Sequence, residues 1–406
     1  MDIREQTVRR NPASRGSAVG RLALLAWSVL GLLTLSAAAV EGRCDSGECL
    51  DHPNGSISTT DRGRGGSGWQ TETVDSAGDV GEYTSLALDE DGYAHISYRD
   101  SSGGDLKYAY HDGASWHVET VDSAGDTGYE TSLALDGGGY AHISYNDDDN
   151  GSLEYVYQDG SGWQMETVDT GGVGWYTSLV LDDGGYPHIS YYDYVNRDLK
   201  YAHRDGSGWQ IETVDSVGHV GYDTSLALDG DGYPHISYHG VSNRDLKYAR
   251  QDGSGWQIEQ VDAGDVGYWT SVALDGDDYP HISYSDYTNR VLKYAYWDGF
   301  GWQTEPVDSG SDVGYYTSLA LDGSGYSHIS YYDQANHDLK YAYQDGNGWQ
   351  IGTVDSAGQV GWYTSLALDG SDQPHISYYD ESNADLKYAY KSGAEHRVYL
   401  PLTLRQ

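Results

Sequence analysis

The chain has 406 residues, with 63 Asp and Glu against 23 Lys and Arg, for a formal net charge of −40. A surface this acidic repels phosphate backbones and anionic lipid, so no nucleic acid is expected as a partner. Cations, neutral sugars and basic proteins remain open, and the charge also serves solubility.

The first 39 residues differ in kind from the rest. Arg4, Arg9, Arg10, Arg15 and Arg21 flank the start of an apolar run, "LALLAWSVLGLLTL", which ends in "SAAAV". That is the layout of a secretory signal, with cleavage expected after Ala39. The alternative is an uncleaved anchor, since Leu22 to Val40 is nearly long enough to span a membrane. Removal takes five arginines and two acids (Asp2, Glu5), leaving 18 basic against 61 acidic side chains on an exported protein with no further membrane-inserting segment.

Residues 40–68 are rich in Gly, Ser, Asp and Thr and read as a flexible linker. The only cysteines, Cys44 and Cys49, lie in this stretch, and in an exported protein they are expected to close a small local disulfide.

From residue 69 one unit repeats seven times. Trp69, Trp116, Trp163, Trp209, Trp256, Trp302 and Trp349 mark a step of 46 or 47 residues, and His95, His142, His188, His235, His281, His328 and His375 keep the same step. Within a unit, "GWQIETVD" (208–215), "TSLALD" (224–229), "YPHISY" (233–238) and "DLKYAR" (245–250) are short, aromatic and β-branched, and are bounded by turn residues. Turn signals such as "DGDG" and "QDGSG" separate them, and no helical periodicity follows residue 40.

Four antiparallel strands per repeat predict an all-β fold, a seven-bladed β-propeller over residues 69–390. An open solenoid would need atypical caps, yet the last copy is as regular as the middle ones. The first copy opens on a tryptophan strand and the last ends without one. Residues 69–75 are therefore expected to pair with the last blade and close the ring. Residues 391–406 form a C-terminal tail in which Pro401 limits further pairing.

These units resemble the tandem repeats of secreted bacterial propellers near the sialidase-like, Asp-box (BNR) superfamily. The turn "QDGSGW" (158–163) is similar to an Asp-box, although Gly162 and Trp163 follow Asp159 at a shorter spacing than the family's Ser-x-Asp-x-Gly-x-x-Trp. The resemblance implies the propeller fold. It also implies a sialidase-type alternative, in which an arginine cluster such as Arg197, Arg244 and Arg290 would hold a substrate carboxylate.

The seven histidines are expected to be structural. Adjacent blades pack about 10 Å apart, too far for two imidazoles to share a metal, and a buried imidazole needs a local hydrogen-bond partner. The copies vary instead in two loops on one face, one before the inner strand and one after the histidine strand. Ligand-binding candidates there are Trp175, Tyr176, Asp193, Asn196, Arg197, Arg244, Trp269, Arg290, Tyr316, Trp362 and Tyr363. Aromatic faces beside short polar side chains suit a sugar, and repeated weak sites would add avidity on a repetitive glycan.

No cofactor is expected. Calcium is the one ion with weak candidates, Asp147, Asp149, Asp229 and Asp231, whose spacing is that of calcium loops without the bidentate acid. The expectation is a secreted, monomeric, non-enzymatic propeller that binds a glycan or cell-surface protein. A sialidase-like hydrolase is the alternative and an adhesin scaffold the third reading. Glycoside hydrolysis needs two specifically placed carboxylates, and seven near-identical units are not expected to single out a pair.

Overall fold

Apolar and aromatic residues alternate with turn residues at such short intervals that only short strands can form. The computed structural model, which describes residues 68–391, contains 28 of them and no helix among those residues. They make seven four-stranded antiparallel sheets. In blade 3 the A strand spans Val173–Leu181, B spans Pro187–Asp193, C spans Asp198–Asp205 and D spans Gly208–Asp215, paired in that order from the axis outward. The other A strands are Val80–Leu88, Tyr129–Leu135, Tyr222–Leu228, Val266–Leu274, Val313–Leu321 and Val360–Leu368.

The ring closes as the repeat phase predicts. Trp69–Asp75 pairs antiparallel with Asp385–Lys391, Trp69 opposite Lys391 and Thr71 opposite Ala389, so the first strand of the chain is the outer strand of blade 7. That last strand takes in Lys391, the first residue of the expected tail. The expectations for the signal, for Cys44 and Cys49 and for the rest of the tail lie outside the described residues.

The core sits between blades. One cluster joins Val80, Leu86, Ile96, Tyr98 and Ala109 of blade 1 to Leu386 and Tyr388 of blade 7, and each further junction repeats it. A B strand is covered on both faces, which is why "PHISYYD" (187–193) is buried throughout.

Polar side chains bind the blades into a ring. Near the axis, Thr84, Thr131, Thr177, Thr224, Thr270, Thr317 and Thr364 each share a hydrogen bond with a serine on the B strand of the preceding blade, the Thr84–Ser377 pair closing the circle. The serine after each threonine accepts a backbone N–H of the next A strand at 2.9–3.1 Å. At the periphery, six tryptophans donate Nε1–H to a glutamate one blade back at 2.7–3.2 Å. Trp69 has Gly352 at that position instead, opposite Tyr341 in the D strand of blade 6.

In every blade the histidine Nδ1 is hydrogen-bonded to a C-strand tyrosine hydroxyl thirteen residues on. Its Nε2 stands 3.4–3.7 Å from the aspartate that caps the A–B turn. Burial pushes the imidazoles of His95, His142, His188, His235, His281 and His328 below their usual pKa. A neutral ring accepts from the tyrosine and turns Nε2–H toward the carboxylate. A buried imidazole bonded at Nδ1 to its own blade, and at Nε2 also in His235, His281 and His328, is part of what makes the blade.

Candidate functional site

Residues 175–176 and their equivalents are expected in a loop, but the A strand begins at or before them and takes them in, Trp175 pairing with Tyr192 on the B strand. The register slips between Trp175 and Ser178, as it does between Glu82 and Ser85. Such a bulge bends the strand and redirects one side chain.

Two backbone features build it. Gly174 has φ of +93°, and a Cβ there would stand 2.8 Å from the Cα of Leu153 on the neighbouring blade, so glycine alone allows this approach. Two residues on, Tyr83, Glu130, Tyr176, Asp223, Trp269, Tyr316 and Tyr363 all have φ of +49° to +54°. Left-handed backbone is costly for bulky side chains, about 1–3 kcal/mol each, and such strain gathers at functional sites. Here it presents all seven side chains at the axis.

These seven residues line the mouth of an axial cavity of about 210 Å³, open on one face, with the threonine belt beneath them. The two sides of the cavity differ. Trp269, Tyr316, Tyr363 and Tyr83 come from consecutive blades and pack ring to ring, with centroids 5.3, 4.8 and 4.4 Å apart. Across from them, Glu130 and Asp223 flank Tyr176. Each acid accepts the backbone N–H of an axial residue one blade further on, Glu130 from Tyr176 and Asp223 from Trp269, the latter at 3.1 Å.

No lysine, arginine or histidine lines this cavity. Desolvation is the main cause that raises both acids, Asp223 to about 6 and Glu130 to about 8. Asp223 ionises first, and its charge then opposes ionisation of Glu130. Near neutrality the cavity therefore holds one carboxylate and one carboxylic acid. Seven near-identical units do single out a pair of acids after all, which corrects the expectation that they would not.

Of the binding candidates, Tyr176, Trp269, Tyr316 and Tyr363 line the cavity. Trp175 and Trp362 sit one residue earlier in the strand and pair toward the B strand, forming a collar outside the mouth. Trp362 packs on Tyr316 and Tyr332 there, at 5.5 and 5.2 Å. Asp193 and Asn196 are engaged with each other: Asp193 is 3% exposed and accepts both the backbone N–H and the side-chain amide of Asn196 at 2.8 Å. Asp286 and Asn289 repeat that turn cap.

The three arginines stand on the rim, away from the axis. Arg197, Arg244 and Arg290 take the left-handed position of successive B–C turns, and Arg244 and Arg290 face Asp265 and Asp312 at 3.7 and 3.5 Å.

Nor do the calcium candidates gather. Asp147 caps Asn150, Asp149 accepts Asp126 N–H, and Asp229 caps its own turn through Asp231 and Tyr233 N–H. Among the described residues no three His, Cys, Asp or Glu converge as a metal site.

A larger cavity of about 330 Å³ opens on the opposite face between blades 4 and 5, beside Arg250, Trp297 and Tyr279. Arg250 and His235 stand among its acids, and Asp278 and Glu259 there accept Gly230 N–H at 3.0 Å and the Trp302 indole at 2.9 Å. The axial cavity, lined from all seven blades and with no cationic side chain beside its acids, is the stronger candidate.

No protein-family model and no curated protein matches the chain. Among solved structures it is similar to an ulvan lyase from a new family of polysaccharide lyases, at 16% identity and a TM-score of 0.54, over 78% of this chain and 95% of that one. It is also similar to a sialidase from Streptococcus pneumoniae, at 11% identity and a TM-score of 0.45 over 79% and 70% of the two chains. A Hadza microbial sialidase matches at 14% identity, a TM-score of 0.46 and 73% of each chain. The likeness to the ulvan lyase establishes the shared propeller fold.

Proposed function

We propose that this protein is an exported carbohydrate-binding propeller whose site is the axial cavity. The observation that carries this reading is the two-sided lining: four adjoining aromatic rings on one arc, and Glu130 and Asp223 beside Tyr176 on the other. A sugar ring has the matching character, since C–H faces pack on aromatic faces while hydroxyls donate to carboxylates. A volume of about 210 Å³ is the bulk share of about seven waters, enough for one sugar unit with the rest of a chain leaving through the open mouth. Export rests on the signal-like pattern of residues 1–39. The solved ulvan lyase shows a polysaccharide-acting protein on the same fold, which is compatible with this reading and does not carry it.

This reading replaces many weak rim sites by one central site, because the rim residues Asp193 and Asn196 are engaged in their own turn. A glycan array with the protein and with Trp269→Ala, Asp223→Asn and Trp175→Ala variants tests it. Binding lost in the first two and kept in the third supports the axial site. Loss in Trp175→Ala alone moves the site to the collar.

A catalytic second reading rests on the same pair. One carboxylic acid and one carboxylate held in one cavity near neutrality is the division of roles that glycoside hydrolysis uses. Turnover of an aryl glycoside, abolished by both Glu130→Gln and Asp223→Asn, would establish it. A sialidase-type form lacks support, since no cationic side chain lines the cavity to hold a substrate carboxylate.

A further inference from the structure

The charge of the cavity narrows the ligand further. We propose that the sugar bound at the axis carries a protonated amine, as a 2-amino-2-deoxyhexose unit of a deacetylated amino-sugar chain does. This deepens the carbohydrate reading and rests on it.

Three observations point the same way. Glu130 and Asp223 stand on one arc, and within the protein each uses only one carboxyl oxygen, Glu130 Oε2 for Tyr176 N–H and Asp223 Oδ2 for Trp269 N–H. Their other oxygens have no hydrogen-bond donor among the described residues. The lining holds no cation that would neutralise them, so a ligand must supply the positive charge if both are to ionise. The facing arc of Trp269, Tyr316, Tyr363 and Tyr83 is a row of π faces, which favours an organic cation over an anion.

A bare metal ion fits less well, because the lining offers only two carboxylates, the rest being aromatic residues and threonines, and Tyr176 stands between the two acids. An anionic sugar is opposed both by the pair and by a chain charge of −40.

Proton linkage follows from this. The other titratable groups around the cavity are Glu82, which is paired with Arg99, and the axial tyrosine hydroxyls, which burial holds protonated far into the alkaline range. With Asp223 at about 6 and Glu130 at about 8, close to one proton is held between them at pH 7. An ammonium between the two carboxyls would expel it.

Calorimetric titration of the protein at pH 7 with glucosamine, N-acetylglucosamine and glucose, in two buffers of different protonation enthalpy, tests this. Glucosamine is expected to bind at least about tenfold more tightly than N-acetylglucosamine, the worth of one charge-assisted hydrogen bond, and to release about one proton. Asp223→Asn should bring the amine and the acetamide to parity while N-acetylglucosamine still binds. Equal affinity for the amine and acetamide in the unmodified protein overturns the amine preference and leaves the carbohydrate reading standing. No binding of any of the three overturns both, and since the comparison runs on the unmodified protein, it does not depend on the variant folding.

Discussion

Replacing Glu154 with lysine is expected to stabilise the protein, because blade 2 alone departs from an ionic arrangement that the other six blades share. In those six, a C-strand lysine donates Nζ–H to the aspartate at the end of the preceding D strand, as Lys387 does to Asp355 at 2.7 Å. The same aspartate accepts a B-strand tyrosine hydroxyl, and the ammonium lies over that tyrosine ring at 5.4–5.7 Å. In blade 2 Asp122 still accepts from Tyr145, but Glu154 occupies the lysine position, 7% exposed. Burial raises Glu154 first, and Asp147 and Asp122 add to it. A charge-assisted hydrogen bond contributes about 1.5–3 kcal/mol, against which stand the desolvation of lysine and the lost Ser152–Glu154 bond, so about 2 kcal/mol net is expected. With an unfolding entropy of about 0.7 kcal/mol/K for a body of this size, the melting temperature should rise by about 3 °C at pH 7. Because the folded pKa of Glu154 is raised, its penalty is absent below its unfolded pKa and grows as pH rises through the folded one. The gain measured by scanning calorimetry should therefore be smaller at pH 4 than at pH 7. An unchanged or lower melting temperature at pH 7 would refute the reasoning.

Gly352→Glu should add about 1–2 kcal/mol by removing a strand glycine and giving the Trp69 indole the acceptor that the other six tryptophans have, read as a higher denaturant midpoint. Gly174→Ala should cost at least about 2 kcal/mol, since its Cβ meets the Leu153 backbone; a loss under 0.5 kcal/mol would show that the blades can shift apart there. Glu130 and Asp223 have raised folded pKa values, so the stability tied to their protonated forms is complete below about pH 4 and lost as pH rises through about 6 and about 8. The double variant Glu130→Gln, Asp223→Asn should flatten the fall in stability between pH 6 and pH 9, by a few kcal/mol at most, read from denaturant midpoints across that range. Six of the blade histidines, His95 to His328, work the other way: with folded pKa values lowered, their contribution is complete above about 6.5 and lost as pH falls, so mild acid should unfold the ring in a single cooperative step.

The fold was legible because each blade repeats its own instructions. The step of Trp69 to Trp116, the turn signals and the unmatched first strand together specify seven blades and the Asp385–Lys391 closure. The identical step of His95 to His375 likewise marked the histidines as framework, and each is found against a tyrosine and an aspartate of its own blade. The site was only half legible. Tyr176, Trp269, Tyr316 and Tyr363 stood out as aromatic, but their inward direction depends on a left-handed residue inside a strand, which no propensity for tyrosine or tryptophan foretells. Asp223 went unnoticed for the same reason. The signal that would have found it is the column before each Thr-Ser pair, which reads Tyr83, Glu130, Tyr176, Asp223, Trp269, Tyr316 and Tyr363, two acids among aromatics. Asp193 and Asn196 misled in the opposite sense, since an Asp three residues before an Asn is as much a turn cap as a ligand pair.

The most direct test of the central claim is a crystal structure of the protein soaked with the sugar that binds most tightly in solution. The account predicts one sugar unit at the axis, with a ring face against Trp269 or Tyr316 and a polar group within hydrogen-bond distance of Asp223. A sugar seated on the rim turns around residues 193–197, with the axial cavity holding only water, would contradict it.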